Sequence, residues 1–185
     1  MGKRCWNCKD RVSHEEFFCK SCGKIQENVE INEFEIFSID KKVLIDLDLL
    51  EKNYLKLQIV FHPNKFIGLS QREIEASNNY SSKINESYNL LKNYVDRINL
   101  ILEKSGVSIM NHDKTYKNSE LLQDIMEIQE EFMFAEGNQK KIVKERIKKL
   151  IDKILFETEV LYKKRDYDQM LNNSIKLSYL NKILN

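Results

Sequence analysis

A single proline stands in 185 residues, at position 63, and it directly follows a run patterned as an amphipathic helix. Leu50, Tyr54, Leu57 and Phe61 recur at spacings of four, three and four, which places them on one apolar stripe. Lys52 and Lys56 lie four apart on another face. A proline biases the residue before it away from the right-handed helical region, so the helix should stop at His62. The stretch His62-Pro63-Asn64-Lys65-Phe66 then falls in a loop at a basic helix end. A second stripe follows at Ile84, Tyr88 and Leu91, so two helices can pack antiparallel and present that loop at their exposed tip. The loop continues through Gly68 and Ser70, with the next helix starting near Gln71.

The rest of the chain favours helices as strongly. Five glycines and one proline, set against 32% charged residues and abundant Lys, Glu, Leu and Ile, specify long helices with short connections and an all-α fold class. A formal net charge of +1 gives no concentrated basic field of the kind that nucleic acid requires. The lysine-rich stretch Lys140, Lys141, Lys144, Arg146, Lys148, Lys149 and Lys153 is interleaved with Glu145 and Asp152, as on a solvated helix face. No apolar run reaches the roughly 20 residues of a membrane span. The expectation is a soluble chain with neither nucleic acid nor membrane as partner.

All four cysteines fall in residues 1–26, as Cys5-x-x-Cys8, ten intervening residues, then Cys19-x-x-Cys22. This is the spacing of two knuckles that fold around one tetrahedral metal ion, with zinc the expected occupant and iron its chemical competitor in a thiolate cage. A segment this short has no core of its own, so ligation would supply its folding free energy, on the order of 10 kcal/mol in zinc-finger peptides. Without a secretory signal, disulfides are disfavoured. His14 lies between the pairs, but four thiolates already close the shell.

Beyond the helix pair, residues 94–102 continue as a further helix ending at Gly106, so one domain is expected over 32–106, with Phe34 and Phe37 packing under the pair. Residues 108–118 are polar and read as a linker. From 119 to 185 the pattern gives a three-helix bundle. Its first helix should run to Gly137, with Asn138 capping the second, which carries Ile147, Leu150, Ile151, Ile154 and Leu161 on one side. Asp166 and Gln169 stand at capping-box spacing before the last helix. In the first helix Leu121, Ile125, Ile128 and Phe132 recur at four, three and four, which assigns them to the core. Leu122, Met126, Glu127 and Glu130 then form a neighbouring mixed apolar and acidic stripe, suited to a basic partner with an apolar anchor if exposed. The competing assignment is that Leu122 and Met126 only widen the core stripe.

No nucleophile stands beside a recognisable base. His14, His62 and His112 are far apart in sequence, and neither a glycine-rich phosphate loop nor a paired-carboxylate motif is present. A thiol oxidoreductase would use one Cys-x-x-Cys pair at a helix start in a βαβ setting, which this chain lacks. The expected role is therefore non-enzymatic, that of a protein which holds others.

Four blocks in this order resemble the HscB-type J-domain co-chaperones of iron–sulfur cluster biogenesis, in their eukaryotic, metal-binding form: the cysteines, Phe34-x-x-Phe37, the loop at His62, and Leu122-x-x-x-Met126-Glu127-Ile128. Ile84-Asn85-Glu86-Ser87-Tyr88 is similar to the third-helix signature of a J-domain. The resemblance implies a J-domain that recruits a DnaK-type heat shock 70 kDa chaperone through His62, Pro63, Asn64, Lys65, Lys52 and Lys56. It also implies a C-terminal bundle that delivers an IscU-type scaffold protein, bound by Leu122, Met126, Glu127, Glu130 and Tyr179, where Gln123 replaces an apolar residue. The structural cofactor implied is one Zn2+ held by Cys5, Cys8, Cys19 and Cys22. The implied compartment is the mitochondrial matrix or a related organelle. Because no Arg-rich leader precedes Cys5, import must use a segment outside this sequence or other means, with the cytoplasm as second choice.

One position departs from the family pattern, which reads His-Pro-Asp where this chain has Asn64. Asparagine keeps a carbonyl acceptor but loses the charge that a partner arginine would engage. The expectation is docking with weakened stimulation of ATP hydrolysis, or a scaffold-binding adaptor with none. The plainer alternative is that Asn64 only caps the turn.

Overall fold

The computed structural model describes residues 3–27, 31–109 and 119–184, and within the last stretch the side chains from 123 onward. The expected linker falls for the most part outside the described residues, as does His112. Among the described residues the fold is all-α apart from one small ribbon and an isolated bridge between Phe18 and Ile25, and the chain divides into two compact units. The first comprises the chain up to Lys41 together with Ile45–Lys92, the second Lys42–Leu44 together with the chain from Asn93 onward.

In the first unit, strands β1 (Lys3–Arg4) and β2 (Arg11–Val12) pair antiparallel, Lys3 opposite Val12 and Arg4 opposite Arg11. Two turns of matching design follow the two cysteine pairs. In one, the Cys5 N–H donates to Asp10 O at 2.8 Å and the Lys9 N–H to Cys5 O at 3.0 Å. In the other, Cys19 donates to Lys24 O at 2.9 Å and Gly23 to Cys19 O at 2.8 Å. The residue after each second cysteine turns the chain with positive φ, +68° at Lys9 and +71° at Gly23.

Helix α1 (Leu47–Phe61) starts where Asp46 accepts the Leu49 N–H at 2.9 Å and ends at His62, whose ψ of 125° is the extended value that the following proline enforces. Leu50 and Phe61 of its stripe are buried, and Tyr54 and Leu57 are half-buried. Pro63–Phe66 form a 3₁₀ turn, and α2 (Gln71–Lys92) returns with Ile84, Tyr88 and Leu91 buried against the partner stripe. Ser70 and Glu73 cap α2 reciprocally: Glu73 accepts the Ser70 N–H at 3.2 Å, and its own N–H reaches Ser70 Oγ at 3.4 Å. Phe34 and Phe37 are buried beneath the hairpin, where Asn53 Nδ2 donates to Phe37 O at 2.8 Å.

The second unit contains α3 (Tyr94–Glu103), α4 (Ser119–Phe134), α5 (Gly137–Lys164) and α6 (Tyr167–Leu184). Two boundaries differ from the sequence expectation. Helix α3 belongs to this unit and not to the hairpin, because its buried Ile98, Ile101 and Leu102 pack with α6, and because Tyr94 Oη donates to Asn181 Oδ1 at 3.0 Å and Ser174 Oγ to Asn99 Oδ1 at 2.6 Å. Helix α5 begins at Gly137, not after Asn138: Gly137 has φ +52° and Gln139 donates back to Glu136 O at 3.0 Å, so Glu136 and not Asn138 holds the capping position. At the other end, Asp166 does accept the Gln169 N–H, at 3.2 Å. Val143, Ile147, Ile151 and Ile154 of α5 meet Met170, Leu171, Leu177 and Leu180 of α6 in an aliphatic core. Among the described residues, no helix is long and apolar enough to cross a membrane.

Candidate metal centre and interaction surfaces

The two cysteine turns bring the four Sγ atoms within 4.8 Å of one another. Cys5 and Cys22 are 3.6 Å apart at sulfur, as are Cys8 and Cys19. A tetrahedral metal with sulfur at about 2.3 Å sets its ligands roughly 3.8 Å apart, so the donor set fits such an ion in size as well as in chemistry. The thiols share negative charge unevenly. Burial raises Cys5, yet the N–H groups of Cys8 and Asn7 and the neighbouring thiols bring it down to about 6. The Asp10 N–H lowers Cys8, but desolvation and the other thiols outweigh it, and Cys8 is pushed up to about 12. The Lys24 N–H holds Cys22 below the ordinary thiol range against desolvation. A cation among four sulfurs that repel one another as thiolates removes that conflict.

A buried polar residue joins the cluster. Gln26 is 2% exposed and donates Nε2 to Cys5 Sγ at 3.4 Å and to Lys24 O at 2.7 Å. Sequence reasoning passed over it, since a glutamine four residues beyond the last cysteine carries no motif. His14 is not among the metal-competent group.

The loop at His62 is exposed along His62, Pro63, Asn64 and Lys65, while Phe66 turns inward and is buried. The turn is fixed by histidine, not by asparagine: His62 Nδ1 accepts the Asn64 N–H at 3.3 Å, and Lys65 donates to His62 O at 2.9 Å. Lys52 and Lys56 are exposed on α1, beside Leu55 and Ile59, which are 51% and 63% exposed.

On the second unit, Met126, Glu127 and Glu130 of α4 and Tyr179 of α6 are exposed, with Met126 at 59%. Met126 therefore does not widen the core stripe. The side chain of Leu122 lies outside the described residues, as does that of Leu121. Ile125 is buried, but Phe132 is only half-buried and helps to line a groove of about 440 Å³ with Gln129, Met133, Tyr179, Lys182 and Ile183. The spacing of Met126, Gln129 and Met133 at three and four could have placed Met133, 68% exposed, on the same face as Met126. The basic stretch of α5 is paired in part, Lys148 with Glu145 at 2.9 Å and Arg146 with Glu131 of α4.

Residues 117–185 match the family model described as the HSCB C-terminal oligomerisation domain. The co-chaperone protein HscB homolog of Neisseria meningitidis is 32% identical over 159 residues, which cover 82% of this chain and 94% of that protein. This chain belongs to the HscB family of co-chaperones. The iron-sulfur cluster co-chaperone protein HscB homolog of Arabidopsis thaliana is 31% identical over 138 residues, 74% of this chain and 54% of that protein. The mouse iron-sulfur cluster co-chaperone protein HscB is 28% identical over 74% of this chain and 60% of its own length. The chain thus spans little more than half of these plant and mouse relatives. Its fold is that of the crystal structure of human co-chaperone protein HscB, with a TM-score of 0.85 over 97% of this chain and 94% of that one, at 24% identity.

Proposed function

We propose that this chain is a non-enzymatic J-type co-chaperone of iron–sulfur cluster assembly. It recruits a DnaK-type heat shock 70 kDa chaperone through the α1–α2 hairpin and delivers an IscU-type scaffold protein on the α4–α6 face. The observation that carries this reading is the exposed His62-Pro63-Asn64-Lys65 turn at the tip of a helical hairpin, with Lys52 and Lys56 exposed on the same helix that leads into it. Cations there suit an acidic docking surface on the ATPase, and the plant and mouse relatives, iron-sulfur cluster co-chaperones by name, supply the context. The second contact is Met126, Glu127, Glu130 and Tyr179 together with Leu122, an apolar anchor flanked by carboxylates that suits a basic, apolar-tipped partner. Holding both partners at once would couple ATP hydrolysis on one to cluster release from the other. The four cysteines hold one structural Zn2+, and the compartment is the mitochondrial matrix or a related organelle.

Asn64 favours a second reading, an adaptor that binds the scaffold but stimulates little. Its side chain is exposed and is not what fixes the turn, so the missing carboxylate bears on a partner more than on the fold. Steady-state ATPase measurements with the cognate chaperone, with and without scaffold protein, separate the two. Asn64→Asp should raise stimulation by a coupling of about 1.5–3 kcal/mol, the worth of a hydrogen bond to a charged group. His62→Gln should abolish whatever the parent has. Parent stimulation equal to that of Asn64→Asp removes the adaptor reading. Failure of both proteins to stimulate removes the co-chaperone reading.

A further inference from the structure

The cysteine segment grips both ends of the exposed loop between α1 and α2. At the entry, Phe61 is the last residue of α1 and precedes His62 directly. Its ring lies 5.0 Å from Phe17 and 5.5 Å from Phe18, and Tyr80 closes the cluster at 5.2 Å from both Phe61 and Phe17. Phe17 and Phe18 immediately precede Cys19, so the aromatic contact and the ligand share one short piece of backbone. At the exit, Lys24 Nζ reaches both carboxylate oxygens of Glu73 at 2.9 and 3.0 Å, and Glu73 in turn accepts from the N–H and hydroxyl of Ser70. Arg72 stacks over Trp6 at 5.0 Å and forks onto Glu27 at 2.6 Å through two nitrogens.

One residue ties these contacts to the thiolates. Gln26 donates its side chain to Cys5 Sγ, donates its N–H to Phe17 O at 2.7 Å, and accepts the Tyr80 hydroxyl at its carbonyl. Within the loop, the bonds are short-range, Asn64 to His62, Lys65 to His62, and Leu69 to Phe66 at 3.1 Å. Bonds of that reach fix local turns; buried Phe66 anchors the middle of the loop, and the placement of its two ends depends on what holds them.

We propose that the cysteine knot is a clamp on the His62–Ser70 loop, so that metal in the four-thiolate cage holds the loop in one conformation and metal loss releases it. Gln26 is the positioning residue. The buried core of the knot is little more than Cys5, Val12 and Cys19, with Cys22 beside it, too small to keep the two turns together once their shared ligand is gone. When they part, Phe17, Phe18 and Lys24 lose the positions from which they brace Phe61 and Glu73. Availability of metal would then set how well the loop is formed for its ATPase. The inference rests on metal occupancy of the cysteines, and the test reads that occupancy separately.

The experiment is amide hydrogen exchange on the full chain, zinc-loaded and after chelation, with metal content measured in both samples. The amides of Lys65 and Leu69 should exchange at least about tenfold faster after metal loss, while those of α5 and α6 keep their rates. Metal gone with the loop rates unchanged would overturn the clamp; a chain that takes up no zinc would overturn the metal reading on which it stands. Chelation that unfolds the hairpin is resolved by Gln26→Ala and Tyr80→Phe, which retain all four ligands. Each should keep one zinc per chain and protected α1 and α2 amides, yet loosen the loop by a similar factor. Full zinc with loop rates of the parent in both variants refutes the clamp.

Discussion

The two units bury their interiors by different means. Unit two packs aliphatic side chains from several helices, Ile98, Ile101, Leu102, Ile147, Ile154, Met170, Leu177 and Leu180 among them, and each fully buried one contributes about 1.5–3 kcal/mol through area removed from water. The cysteine half of unit one has no such store. It relies on thiols around a common point, an aromatic cluster at Phe61 and a buried carboxylate, Glu73, facing Lys24. A distributed aliphatic core has no single point of failure, whereas a core organised around four clustered thiols and one carboxylate should respond to metal and to pH.

The largest test of that contrast is Cys5→Ser. Losing one ligand should cost the cysteine segment most of the roughly 10 kcal/mol that ligation contributes, seen as rapid proteolysis within residues 3–27 and loss of bound metal. Helicity from α3 to α6 should persist. Loss of helicity there as well would show that the units do not fold separately. In the opposite direction, Leu177→Ala removes a side chain that is 0% exposed and should cost about 2–5 kcal/mol of the second unit's stability, with metal content unchanged.

A smaller effect separates the units by pH. Burial raises the Glu73 carboxyl, but hydrogen bonds from Lys24 and Ser70 prevail and hold it below its ordinary value of 4.5. A depressed folded-state value means that the contribution is complete above about pH 4.5 and is lost as the pH falls through that lower value. Thermal melts of the parent in that acid range should therefore lose stability in the first unit faster than melts of Glu73→Gln do. Equal slopes would mean that the Lys24 pairing adds nothing.

The smallest expected change in stability, within about 0.5 kcal/mol, belongs to the combined variant Leu122→Ala, Met126→Ala and Tyr179→Ala, because Met126 and Tyr179 are exposed. It should melt as the parent does and lose scaffold binding. Retained binding would refute the assignment of that face.

What the sequence disclosed follows from range. Stripes at three and four residues marked α1, α2, α4 and α5, and the cysteine spacing marked the thiol cluster, because each is written within a few turns of chain. The proline stop at His62 is equally local. The capping position of α5 was missed because a glycine signals the end of one helix as readily as the turn into the next, and here Gly137 is already the first residue of α5. Long-range polar partners left no trace at all. Arg97 is buried and donates Nε to Val43 O at 2.8 Å, 54 residues away, and Glu159 is buried and accepts the Val43 N–H at 2.8 Å, 116 residues away. Nothing near either charge announces its burial. Gln26 escaped notice for the same reason, since its role lies in a thiolate and in Tyr80.

That pair of charges has a consequence for how the chain can be divided. Residues 42–44 leave the first unit, lie in the second where Arg97 holds the Val43 carbonyl and Glu159 the amides of Val43 and Leu44, and return to the first at Ile45. The second unit is therefore discontinuous, a bundle with one stitch taken from upstream. Cutting the gene at residue 93 would yield a fragment in which a largely desolvated guanidinium, already brought down to about 10 by burial, and a buried carboxylate have both lost the backbone groups they were placed to meet. A peptide spanning residues 42–44, supplied in trans, would be the missing thread.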